Sequence, residues 1–103
     1  MELLKFVKDT FLEKQGYCFR PRLVCVDGFS MSVQGSSGHY CEPRITQDNY
    51  EKMEIGFPSE PEELIAEYAE NDTDLTQTVY GYVPVELIQK VIDKHGGISY
   101  ETI

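Results

Sequence analysis

The chain has 103 residues, with 18 Asp and Glu against 9 Lys and Arg, for a formal net charge of −9 at pH 7. That length supports one domain and one core, not two, and 41% hydrophobic residues with 7 Tyr and 5 Phe are too many for a disordered coil. The acidic balance excludes direct binding of duplex nucleic acid through a basic footprint, because neutralising phosphates needs clustered Lys and Arg.

In chain order, the apolar spacing of Leu3, Leu4, Phe6, Val7, Phe11 and Leu12 predicts a helix over 2–15 with Gly16 as its C-cap. Strand-like runs follow at 17–20, 23–26 and 29–33, the last alternating Phe29, Met31 and Val33 with Ser30 and Ser32. Asp27-Gly28 between the last two runs predicts a tight two-residue hairpin turn. Residues 40–46 read as a third strand weakened by Pro43, and 53–57 as another short one. A helix then starts with Ser59 as cap and Glu62 three residues on, with Leu64, Ile65, Tyr68 and Ala69 as its apolar stripe. A strand over 76–83 leads to Pro84 and a helix over 84–95 whose core face is Val85, Ile88, Val91 and Ile92. Residues 98–103 can add a final strand. The expected fold is a single α+β domain over 1–103: a small, mostly antiparallel sheet, with a hairpin at 23–34, packed against two to three helices.

The charge is unevenly spread. Residues 1–52 carry 7 basic and 7 acidic residues, while 53–103 carry 2 basic and 11 acidic, so the whole excess lies in the second half. No Lys or Arg occurs between Lys52 and Lys90, and Glu60, Glu62, Glu63, Glu67, Glu70, Asp72 and Asp74 crowd into one stretch. The plain alternative is a solvated helix face that keeps the domain soluble. The functional alternative is an anionic surface that docks on a basic protein, in a groove that otherwise holds nucleic-acid phosphates. Asn71 to Asp74 lacks the ligand spacing and glycine of a calcium loop.

A second candidate is the Gly35–Arg44 loop. Ser36, Ser37, His39, Tyr40 and Arg44 can form a small anion or nucleotide pocket, with backbone N–H groups, a stacking ring and a guanidinium. The spacing matches neither a P-loop nor a dinucleotide fingerprint. The competing expectation is an ordinary connection with Tyr40 in the core and Arg44 paired to an acid. A Cys41/His39 nucleophile pair lacks an identifiable orienting acid. Cys18, Cys25, His39 and Cys41 lack the close ligand pair of a zinc site, so no metal or cofactor is expected. Three cysteines without CxxC spacing, no signal-peptide pattern and no long apolar run point to reduced thiols in a cytoplasm, away from membranes. The sequon at Asn71 is discounted on the same ground.

The stretches Val26–Gln34, His39–Arg44, Ile55–Ser59 and Val79–Val85, with His95-Gly-Gly97, resemble a group of small phage and prophage proteins without an assigned activity. The resemblance implies a bacterial cytoplasmic context and transfers no residue role. The resulting expectation is a non-enzymatic, phage-type binding or inhibitor protein that meets a basic host protein, such as a nucleic-acid-binding defence protein, through residues 60–74. A ligand-binding loop at 35–44 and self-assembly into a homo-oligomer are the alternatives.

Overall fold

A computed structural model of the chain describes residues 1–11 and 20–100, together with the backbone pairing of Glu13–Lys14 and Tyr17–Cys18 between them. Helix α1 (Glu2–Asp9) buries Leu3, Phe6 and Val7 and stops well short of residue 15. The cause is Thr10, whose hydroxyl donates to the Phe6 carbonyl at 2.7 Å beside its own N–H at 3.0 Å. A Thr side chain that takes a helix carbonyl offers the backbone an exit. The chain then forms the small antiparallel pair β1 (Glu13–Lys14) and β2 (Tyr17–Cys18). The predicted cap at Gly16 lies outside the described residues.

Four strands make the main sheet: β3 (Leu23–Val24), β4 (Ser30–Gln34), β5 (Lys52–Gly56) and β6 (Val79–Pro84), antiparallel and in that order. The β3–β4 connection is a three-residue loop rather than the predicted two-residue turn. Cys25 N–H bonds the Phe29 carbonyl at 2.7 Å and Gly28 N–H the Cys25 carbonyl at 3.0 Å. Gly28 sits at φ +97°, the left-handed position that completes this loop class. Residues 40–46 form no strand; Glu42 makes a single bridge to Lys52. Likewise, Ile98 makes one bridge to Cys25, and residues 101–103 lie outside the description.

Alternation gives the sheet two faces. Met31, Val33, Met53, Ile55, Tyr80 and Val83 point inward and are fully buried. Helix α2 (Val85–Lys94) adds Val85, Ile88, Val91 and Ile92 to that core, on the face the sequence assigned, and α1 packs beside it. A 3-10 helix (Glu63–Tyr68) covers the β6 side and buries Ile65. Its cap is Glu62, not Ser59. Ser59 instead exchanges bonds with Ser30, its N–H donating at 2.8 Å and its hydroxyl accepting at 2.9 Å, which holds it against β4. Among the described residues the result is an α+β fold with three helices on a four-stranded antiparallel sheet.

The opposite face carries Ser32, Gln34, Glu54, Gly56 and Val79, in register as Ser32↔Gly56, Gln34↔Glu54 and Gly56↔Val79. Between Met53 and Ile55 the β5–β6 register slips, so Gly81 and Tyr82 together stand opposite Glu54. This bulge puts Tyr82 at φ +55° and turns its ring outward.

Candidate functional site

The acidic stretch divides in two. Glu60, Glu63, Glu67, Glu70, Asp72 and Asp74 are exposed, and among them only Glu63 has a cation within 4 Å, Lys94 at 3.9 Å. Asp74 also closes a turn by accepting the Thr76 N–H and hydroxyl at 3.1 and 2.9 Å, as Asn71 does for Thr73. The expectation that Glu62 belongs to this surface is corrected. Glu62 is 1% exposed and accepts from Leu64 N–H at 3.0 Å, Lys94 Nζ at 2.9 Å and His95 Nε2 at 2.8 Å. Burial alone would raise its pKa, but these donors together hold it below the usual value. Its proton-sharing partner His95 is also buried, stacks on Phe29 at 4.1 Å and contacts Asp27 through Nδ1 at 2.6 Å. Burial opposes its charge, yet the two carboxylates outweigh that and raise its pKa. Glu62, His95 and Asp27 therefore form an internal clasp rather than a docking surface. Nothing short-range in the sequence marks it, since His95 lies 33 residues after Glu62.

The 35–44 loop does not gather its five candidates around one cavity. Ser36 is fully buried; its Oγ accepts Gly38 N–H at 3.0 Å and meets His39 Nδ1 at 2.6 Å. Ser37 is exposed and donates its N–H to Thr46 at 3.3 Å. Tyr40 is exposed rather than in the core, with Arg44 over its ring at 5.3 Å and Tyr82 beside it at 6.0 Å. Arg44 thus meets a ring where an acid was expected. The Tyr40 backbone is pinned to the bulge, its carbonyl accepting Tyr82 N–H at 3.0 Å. Gly81 makes room for this: a Cβ there would lie 3.3 Å from Tyr40 Cβ.

Docking the loop on the bulge folds His39 over the outer sheet face. Its Nε2 lies 3.9 Å from Glu54 Oε2. Burial, with Arg20 nearby, lowers the His39 pKa and disfavours the charged ring. Burial and the Glu70 carboxylate raise that of Glu54, with Arg44 partly opposing. The polar wall of Ser32, Gln34, His39 and Glu54 and the second wall of Gly56, Phe57 and Val79 enclose about 100 Å³. Phe57 is 48% exposed and, like Tyr82, has a positive φ, +48°. Non-glycine residues in this region are strained by about 1–3 kcal/mol, and such strain concentrates at functional sites. The Glu70 carboxylate is the member of the acidic stretch whose charge is felt at Glu54.

Ser36, His39 and Glu54 stand in hydroxyl–imidazole–carboxylate order, but the buried hydroxyl is sealed from any substrate. Cys25 and Cys41 are buried free thiols; burial pushes Cys25 up to about 11 and Cys41 upward, so neither is a poised nucleophile. Among the described residues, no group of three or more His, Cys, Asp and Glu is placed to hold a metal, and no helix is long and apolar enough to cross a membrane. A broader open hollow of about 420 Å³ lies between α1 and residues 48–49, where Lys5 is already tied to Asp9 at 2.5 Å. Comparisons with protein-family models, curated proteins and solved structures give no match.

Proposed function

We propose that this protein is a non-enzymatic binding protein that docks on a basic protein of a bacterial host, in keeping with its phage-type resemblance, and occupies a surface that otherwise meets nucleic-acid phosphates. The observation that carries this reading is the row of exposed carboxylates at Glu60, Glu63, Glu67, Glu70, Asp72 and Asp74, of which only Glu63 has a cation within 4 Å. Such a surface repels itself in the free protein and gains from a partner's Lys and Arg. The nucleotide-binding alternative has less support. The cavity beside the loop measures about 100 Å³, whereas small-molecule sites usually occupy about 300–1,000 Å³.

Affinity capture from a bacterial lysate, eluted in salt steps and read by mass spectrometry, tests the reading. The expected result is a stoichiometric protein of pI above about 9 that is released as screening grows. Retention of only neutral or acidic proteins, insensitive to salt, would overturn it.

A further inference from the structure

The outer-face pocket is distinct from the carboxylate row, and its chemistry is narrower. Glu54 is the one carboxylate in its lining, with its side chain 13% exposed. Of the cations nearest along the chain, Lys52 faces Glu42 at 3.8 Å, while Arg44 lies over Tyr40 and only partly offsets the cost of charging Glu54. Burial lowers the His39 pKa and so disfavours a charged imidazole beside Glu54, from which its Nε2 stands at 3.9 Å. Burial and Glu70 both disfavour the charge on Glu54, and an incoming cation relieves each of these costs. At the rim, Phe57 offers a ring of the kind that attracts a cation. The volume admits roughly three waters at about 30 Å³ each, the scale of one planar head group and not of a nucleoside.

We infer that this pocket seats one arginine side chain of the basic partner, its guanidinium paired with Glu54 and bordered by His39, Ser32 and the Phe57 ring. The inference rests on the docking reading above and adds an anchor to it. Arginine is favoured over lysine because a flat fork can pair both carboxylate oxygens while lying along a ring. Among the described residues, Phe57 and Tyr82 are the two non-glycine residues at positive φ, and Phe57 lines the pocket.

The test is an amide NMR titration of the ¹⁵N-labelled full chain with Nα-acetyl-arginine amide, using the citrulline analogue as a neutral control. Saturable shifts are expected at Ser32, Glu54, Gly56 and Phe57, with a Kd on the order of 10 mM for so small a probe, and none with citrulline. Glu54→Gln should weaken binding about tenfold; Phe57→Ala should weaken it about threefold and serves if the first variant does not fold. The Glu60→Lys/Glu63→Lys/Glu67→Lys variant should bind the probe within about threefold of the parent, because these sites lie outside the pocket lining. No saturable shift, shifts centred on 60–74, or equal binding of arginine and citrulline would overturn the arginine seat. Salt-sensitive capture of a basic protein would then still stand, so the two failures are separable.

Discussion

Arg20 is the largest side chain that the fold buries completely. Its guanidinium donates to the carbonyls of Val7, Gly35 and Gln47 at 2.9, 3.2 and 3.1 Å, so it ties α1, the start of the 35–44 loop and the 47–50 turn together. Phe11 and Tyr50 flank it at 5.6 and 5.8 Å. A lysine cannot reach three carbonyls from one planar fork, and hydrogen bonds to charged groups are worth about 1.5–3 kcal/mol each. Arg20→Lys should therefore cost roughly 3 kcal/mol in urea unfolding, and a midpoint equal to the parent's would remove this role. Gly35 is a tighter constraint. A Cβ there would stand 2.7 Å from the Tyr50 ring, which is held by its hydroxyl between Ile45 O at 2.7 Å and Gln47 N at 3.0 Å. Gly35→Ala is expected to cost about 1–3 kcal/mol by overpacking, read from the same urea curves. Neither residue stood out in the sequence, because both roles depend on partners brought from elsewhere in the chain.

The clasp of Asp27, His95 and Glu62 joins three elements: the β3–β4 loop, the C-terminal end of α2 and the cap of the 3-10 helix. Since folding raises the His95 pKa above 6.5, its contribution is complete below about pH 6.5 and is lost as pH rises through the folded value. Folding lowers Asp27 through the Phe29 N–H bond and then His95, and lowers Glu62 against its burial, so their contributions are lost as pH falls through those folded values. His39 acts in the opposite sense to His95: burial lowers its pKa, and its contribution is lost as pH falls below 6.5. The melting temperature should therefore decline from pH 6.5 towards 9 in the parent, and His95→Gln should flatten that decline. A parent-like decline in the variant would assign the pH dependence to other groups. Legibility at this scale follows the range of the interactions. The apolar face of α2 and the Phe29–Met31–Val33 alternation were readable because burial periodicity is local. The bulge at Gly81–Tyr82 was not, since it depends on Tyr40 docking from the opposite side of β5. The helix stop at Thr10 depends on one hydroxyl rotamer, and the cap at Glu62 on Ser59 being taken by β4.

Over the whole molecule, the sequence divided a neutral first half from a second half carrying the entire −9 charge. The fold keeps Glu60, Glu63, Glu67, Glu70, Asp72 and Asp74 exposed but withdraws Glu62 from the outside. The proper reversal variant is therefore Glu60→Lys/Glu63→Lys/Glu67→Lys/Glu70→Lys, which leaves the clasp intact. Because these side chains are exposed and only Glu63 meets a cation within 4 Å, Lys94, the variant should melt close to the parent. A drop of more than about 4 °C, the equivalent of about 1 kcal/mol in a domain this size, would show a structural role for them. Docking through the carboxylate row is tested by the affinity of the captured basic protein for the parent and for this reversal variant, measured by calorimetry across a salt series. Binding should weaken with salt and fall by about 100-fold or more on reversal. Equal affinity for parent and folded variant at every salt concentration would contradict it.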